Sequence, residues 1–443
     1  MSTENSQLLD TPQKIPVQSG ASFGRLLLAF TGPGMLVAVG YMDPGNWITS
    51  VVAGASYKYI LLVAILLSSV IAMQLQQMSG KLGIVTQRDL SQMIAEKCSK
   101  PLRYFFFIIT ELALMATDLA EVIGAGIALH LLFGWSILFS IVLTITDVFL
   151  LLLLMKLGFR KIEAIVGTLI LSILGIFLYM VWLAQPDLNL LLKGYLIQPA
   201  LWQAPKAGQD SVLTLGLGIV GATVMPHNLF LHSSLSQTRK IDYSSRKHIK
   251  EAVRFMTWDS NIQLSIAFVV NSLLLILGAA LFYGHANDIS AFSEMYQALS
   301  NPAIAGPIAS PLLSTLFAVA LLASGQNSTI TGTLCGEIVM KGFLHIKLPA
   351  WLLRLVTRLV ALLPVLVVAF IFGDQEPVLD HLLIYSQIFL SIALPFAIFP
   401  LVYFTSKKEL MGEFANHKIN TVLAYGVALI LTFLNLQLIL SLF

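Results

Sequence analysis

Two short polar stretches interrupt an otherwise apolar chain, and both carry residue types that bind cations. The first reads Gly40-Tyr41-Met42-Asp43-Pro44-Gly45-Asn46-Trp47, and the second reads Gly221-Ala222-Thr223-Val224-Met225-Pro226-His227-Asn228. Asp43 offers a hard anionic oxygen, Asn46 an amide carbonyl and Met225 a soft thioether, and main-chain carbonyls near Gly40 and Ala222 can complete a shell. Magnesium and calcium want oxygen alone and gain nothing from sulfur. Transition metals accept mixed ligands, and the softer ones gain from a thioether. Mn²⁺ is weakest in the affinity order, so such a site admits it without excluding Fe²⁺, Co²⁺ or Cd²⁺ by affinity. Most buried methionines are packing residues; the place of Met225 directly before Pro226 makes it a ligand candidate.

Helices must position these residues, and each stretch holds a helix breaker. Proline removes a backbone donor and clashes with the preceding turn. Helix one is therefore expected to open around Asp43–Asn46, and helix six around Ala222–His227. One proline kink would be ordinary in a membrane helix. Two Pro-x-Asn interruptions, with prolines 182 residues apart, point instead to a transporter site at the midplane of two related halves.

Composition supports such a frame. The 443 residues are 57% hydrophobic and 11% charged, with a mean hydropathy of +0.83, which fits an exterior of lipid. Eleven apolar runs can each cross a hydrocarbon core about 30 Å thick. Their cores lie at 25–55, 58–80, 104–130, 135–155, 162–184, 212–237, 262–283, 308–340, 350–372, 381–403 and 420–442. The expected fold is an all-α polytopic membrane protein of eleven transmembrane helices, with helices one and six broken at mid-membrane. Five spans reverse sidedness, so helices one to five and six to ten form a 5+5 inverted repeat. The division is a tail at 1–24, a first repeat at 25–184, a second at 211–404, and a loop with helix eleven at 405–443.

With the N-terminus inside, the inner segments hold 23 of the 26 Lys and Arg residues; Lys58, Lys193 and Lys206 fall outside. The positive-inside rule thus gives a cytoplasmic N-terminus and an extracellular C-terminus. The polar first 22 residues hold no cleavable signal peptide. The net charge of +3 reflects the inner loops and not a nucleic-acid face. Cys98 and Cys335 imply no disulfide framework. Short loops without an outward Asn-x-Ser/Thr acceptor suit a bacterial plasma membrane.

Asp43-Pro44-Gly45-Asn46 and Met225-Pro226-His227-Asn228 resemble the two signature motifs of the Nramp family of divalent-metal transporters. Thr117-Asp118-Leu119-Ala120-Glu121 resembles its helix three motif, and the Gly325–Thr333 stretch resembles its helix eight signature. Asp259-Ser260 and Ser386-Gln387 also fit, and the likeness covers nearly the whole chain. The resemblance implies a LeuT-like fold and inward carriage of Mn²⁺ and Fe²⁺ with protons. It implies Asp43, Asn46, Met225 and the Ala222 carbonyl as metal ligands, joined by Gln387 when the outer side closes. Gly40 stands where many members have alanine, and its carbonyl remains a candidate ligand. Leu353 replaces the first of a frequent arginine pair on helix nine, which leaves Arg354.

Other polar residues lie at membrane depth, where ionisable groups are functional candidates by default. Asp118 and Glu121 are three apart and share a helix face. Resemblance places that face near Arg354, which makes the three a proton-pathway candidate. His227 and His232 follow the second interruption. A histidine pKa near 6.5 suits proton transfer, and His232 is the stronger candidate, whereas His227 reads first as structural. Asn271 and Asp259 read as hydrogen bonds between helices; Asp147 and Glu163 have no assigned role.

The expected function is a secondary active importer of Mn²⁺ and Fe²⁺, also of Cd²⁺ and Co²⁺, accompanied by protons. Its partners would be the metal ions, protons and the lipid bilayer, with no nucleic acid, no permanently bound cofactor and a monomeric chain. The alternative on the same fold is an amino-acid or other organic-solute symporter, which would not need Met225. An intramembrane metalloenzyme lacks a His-Glu-x-x-His motif here, and a passive channel would not require the separate acidic pair.

Overall fold

Helix starts in this chain are set by proline and by short polar caps, and those signals cut the apolar runs into defined segments. The computed structural model describes residues 15–17, 22–146, 159–202, 210–284, 291–344 and 376–441, with isolated residues between 352 and 371. The first apolar run becomes α1 (Phe23–Phe30), α2 (Pro33–Gly40) and α3 (Pro44–Tyr57). It is followed by α4 (Leu62–Thr86), α5 (Leu90–Lys97), α6 (Lys100–Phe133), α7 (Ile137–Leu143) and α8 (Phe159–Ala184). A short α9 (Leu188–Gly194) precedes α10 (Val212–Thr223) and α11 (Pro226–Leu235), the two halves of the sixth span. Next come α12 (Arg246–Leu281), α13 (Phe292–Ser300), α14 (Pro302–Ala305) and α15 (Pro311–Leu344). The chain finishes with α16 (Glu376–Ser406), α17 (Lys408–Met411) and α18 (Lys418–Ser441).

Among the described residues seven helices are long and apolar enough to cross a membrane, or up to nine if each bent pair is one span. The expected spans at 135–155 and 350–372 lie partly or largely outside the described residues. The architecture is all-α. The sole pairing of strands among the described residues is two residues long: β1 (Ile15–Pro16) runs parallel to β2 (Arg239–Lys240), with Ile15 opposite Arg239.

The broken helices lie at the centre and the outer helices face lipid. Residues of α2, α3, α10 and α11 are almost all buried. Large apolar residues such as Leu171, Trp182, Val422 and Phe433 remain exposed on α8 and α18, as expected where lipid replaces a protein partner. Trp47 locks α3 in place: its ring is fully buried, 4.7 Å from Phe177 and 5.8 Å from Phe317 between centroids, and its Nε1 donates to Met42 O at 3.0 Å.

Candidate metal site

Both interruptions are narrower than the sequence suggests. The first opens over Tyr41–Asp43, since α3 already begins at Pro44, and the second over Val224–Met225, since α11 begins at Pro226. The reason is the tolerance for proline at the first helical position, where the missing N–H costs nothing. Each proline therefore starts a helix rather than lying inside a gap. Asp43 caps α3, and its side chain accepts from Asn46 N at 3.0 Å.

The same prolines free two carbonyls. In an unbroken helix Gly40 O and Ala222 O would accept from the residue four further on. Those residues are Pro44 and Pro226, which have no N–H. The other carbonyls of the first break are occupied. Tyr41 O accepts from Asn271 Nδ2 at 2.8 Å, and Met42 O accepts from Trp47 Nε1 and Ser324 Oγ.

Asn46 then ties the two breaks together. Its Nδ2 donates to Asp43 Oδ1 at 2.7 Å and to Ala222 O at 2.7 Å. Asp43 is fully buried, and its Oδ2 has no hydrogen-bond partner among the described residues. Gln387 of α16 packs against both halves. A Cβ on Gly45 would lie 1.9 Å from Gln387 Nε2, and one on Gly221 would lie 2.1 Å from Gln387 O. Gln387 Oε1 is buried without a partner among the described residues.

Asp43, Asn46 and the Ala222 carbonyl thus form one network, with Gln387 beside it. Met225 lies at the N-cap of α11, and its side chain is buried in an apolar cluster with Ala113, Leu390 and Ala393. Gly40 faces Asn228: a Cβ there would lie 2.4 Å from Asn228 Nδ2. Both polar atoms of the Asn228 side chain are buried without a partner among the described residues. Asn228 repeats the position of Asn46, two residues after a helix-starting proline, and that symmetry was the sequence signal for it. Among the described residues no group of three His, Cys, Asp or Glu side chains could hold a metal ion, so a cation here must rely on one carboxylate and neutral oxygen or sulfur donors.

The acidic pair lies on α6 near α15. Asp118 and Glu121 are both buried, and a small cavity of about 50 Å³ is lined by Glu111, Leu114, Asp118, Gly332 and Gly336. Glu111, two helical turns before Asp118, extends the acidic face, and its heptad spacing was readable in the sequence. Arg354 lies outside the described residues, as does Asp147. His227 Nδ1 is 3.2 Å from Thr117 Oγ1. His232 Nδ1 lies 3.0 Å from Gln76 Oε1, and Gln76 Nε2 donates to the Tyr41 hydroxyl at 2.7 Å, a chain that ends in the first break. An amide oxygen only accepts, so in this arrangement Nδ1 carries the hydrogen of the His232 ring.

A second polar cluster holds the end of α1. The α1–α2 pair is bent by 50°, and Gly32 at the bend has φ +141° with Glu163 Oε1 2.0 Å from where a Cβ would stand. The open carbonyl end of α1 is capped by two arginines. Arg239 donates to Ala29 O at 3.0 Å and Thr31 O at 2.8 Å. Arg160 donates to Ala29 O at 2.9 Å and Thr31 O at 2.7 Å. Both also pair with Glu163, Arg239 at 3.0 Å and Arg160 at 3.2 Å. At the start of α2, Gly34 N donates to Asp259 Oδ2 at 2.8 Å, so Asp259 does bond between helices as expected, and so does Asn271. Glu163 acquires a structural role, and Arg239, fully buried, was indistinguishable in sequence from its exposed basic neighbours.

The chain is 57% identical over 427 residues to a protein described as divalent metal cation transporter MntH from Levilactobacillus brevis, covering 96% of this chain and 92% of that one. Its structure resembles a variant of the manganese transporter from Eremococcus coleocola with a TM-score of 0.92 and 52% identity, covering 98% and 90% of the two chains. Likeness to MhsT in complex with L-phenylalanine, with a TM-score of 0.56 at 16% identity and coverage of 93% and 98%, shows a shared fold alone. The family described as natural resistance-associated macrophage protein-like, Nramp, matches residues 34–441, and the chain belongs to that family.

Proposed function

We propose that this chain is a secondary active importer of divalent transition-metal ions, Mn²⁺ and Fe²⁺ foremost with Cd²⁺ and Co²⁺ also accepted, accompanied by protons. The observation that carries the reading is the meeting of Asp43, Asn46 and the Ala222 carbonyl at two helix breaks. Relatives named as divalent metal cation and manganese transporters support the substrate class; those relatives are carriers rather than enzymes, and the reading needs no resident cofactor.

The Asn46 amide supplies a physical account of loading. Its N–H₂ group sits between two oxygens, 2.7 Å from each, the place a cation would take. Rotation of the amide by half a turn would present Oδ1 instead and create a set of three oxygens. That set repels itself unless a cation is present, so metal entry and amide rotation go together. The Gly40 carbonyl and Met225 complete the shell, and Gln387 Oε1 joins from α16 as the outer side closes. Divalent metals favour deprotonated ligands, so a proton needs another carrier. Asp118 and Glu121, with Glu111 one heptad earlier on α6, supply the route, and the family resemblance adds Arg354 to it. His232 adds a link to the first break through Gln76, while His227 serves the packing of α11 against Thr117.

Access alternates as the Arg239–Glu163–Asp259 cluster opens and frees α1. The basic loops put that cluster on the cytoplasmic side, with the N-terminus inside and the C-terminus outside a bacterial plasma membrane. The repeats span 25–184 and 211–404, and one monomer holds a complete site. The test is calorimetry of Mn²⁺ binding to the purified chain. Asp43→Ala removes the one anionic ligand and should abolish measurable Mn²⁺ binding; unchanged affinity would remove Asp43 from the site.

A further inference from the structure

Away from the metal site, a cavity of about 450 Å³ opens between the start of α6, the end of α16 and the first turns of α18. Its walls are apolar and aromatic: Leu102 and Phe404 near the helix ends, and Phe106, Phe399 and Tyr425 further along the helices, with the Phe399 and Tyr425 rings 6.1 Å apart. Lys97 and Ser99 line it where the chain turns into α6. Phe106 lies six residues into α6, Phe399 seven before the end of α16 and Tyr425 seven into α18, all about 9–11 Å deeper at the rise of a helix. The groove therefore runs from a basic loop level down to an aromatic floor.

The polar end is built for an anion. Among the described residues no carboxylate lines the cavity, and Glu96, beside Lys97, is paired with Arg88 at 3.3 Å. Lys407 Nζ stands 4.9 Å from the centre of the Tyr403 ring, another wall. Ser99 caps the 34-residue α6 without a side-chain hydrogen bond, and the first turn holds no acidic residue. Pro101 in the first turn has no N–H to offer, but the positive end of the helix dipole still favours negative charge there.

We propose that this groove binds one anionic phospholipid of the leaflet that borders the basic loops. The phosphate rests against Lys97, Lys407 and the start of α6. One acyl chain lies between Phe106, Phe399 and Tyr425. A basic mouth at a membrane surface recognises an anionic headgroup, and the aromatic floor provides for a chain that a free anion lacks. The binding chemistry holds whichever side the basic loops face; only the name of the leaflet rests on the orientation proposed above.

Cys98 gives the readout, because it also lines the groove and is partly exposed, whereas Cys335 is buried. The full chain in detergent is alkylated at Cys98 with phosphatidylglycerol, phosphatidylcholine or inorganic phosphate added. Phosphatidylglycerol should slow labelling strongly, and phosphatidylcholine or phosphate alone should leave it nearly unchanged. Lys97→Gln and Lys407→Gln should each weaken the protection about fivefold, the value of one lysine near an anionic surface. Both lysines are outside the helix-packed core, and Mn²⁺ calorimetry on each variant checks that it is folded. Equal protection by phosphatidylcholine, protection by phosphate alone, or protection that survives both substitutions would overturn the proposal.

Discussion

The amide of Asn46 is the most informative side chain in the protein. It bonds across 176 residues of sequence to Ala222 O, and so makes one site of two helix breaks. Its partners were readable from residue type, because a carboxylate and an asparagine flank a helix-starting proline. Proline chemistry also marks Gly40 and Ala222 as the residues whose carbonyls lose their helical donors. Met225 stands differently. Its thioether packs among Ala113, Leu390 and Ala393, so truncation to alanine would also leave a cavity costing about 2–5 kcal/mol. Met225→Leu keeps the volume and removes the sulfur. If the thioether selects metals, this variant should lose Cd²⁺ affinity about tenfold, with a smaller change for Mn²⁺, since softer ions gain most from sulfur. Competition binding with Cd²⁺ checks this, and unchanged Cd²⁺ affinity would leave Met225 a packing residue. Arg239 was harder to read, because its role depends on burial, which a local window of sequence does not reveal.

Among the elements, the long apolar runs correspond to helices wherever the chain is described, because span length is fixed by bilayer thickness. What the run at 25–55 conceals is a second bend of 50°, at Thr31–Gly32. Gly32-Pro33-Gly34 is a breaker signal in its own right, but it lies inside an apolar run long enough for a single span. The bend leaves α1 as a short lever whose carbonyl end is held by Arg160 and Arg239. Hydrogen bonds to charged groups contribute about 1.5–3 kcal/mol each, so these caps can set the closed position. Arg239→Gln keeps polarity but loses the ion pair to Glu163 and Arg239's half of the cap, leaving Arg160 alone on Ala29 O and Thr31 O. Amide hydrogen exchange should then rise in 23–30 and stay unchanged in α3, because the lever is freed while the site helix is not. Identical protection in the variant and the parent would show that the cluster holds no gate.

For the molecule as a whole, the proposed metal site, the acidic face of α6 and the arginine-capped end of α1 are three separate clusters joined by helices that cross between them. α6 carries Asp118 and also packs on α15 and α16, and α16 carries Gln387, so the proposed proton and metal steps would act on packed neighbours. A static buried ion pair would need no such arrangement and would leave proton flux unrelated to metal flux. The most direct test is a proteoliposome assay that follows Mn²⁺ uptake and internal pH together, in the parent chain, in Asp43→Ala and in Asp118→Asn. The account predicts Mn²⁺ uptake with internal acidification in the parent, loss of uptake in Asp43→Ala, and Mn²⁺ uptake without acidification in Asp118→Asn. No Mn²⁺ uptake by the parent, or full proton coupling in Asp118→Asn, would contradict it.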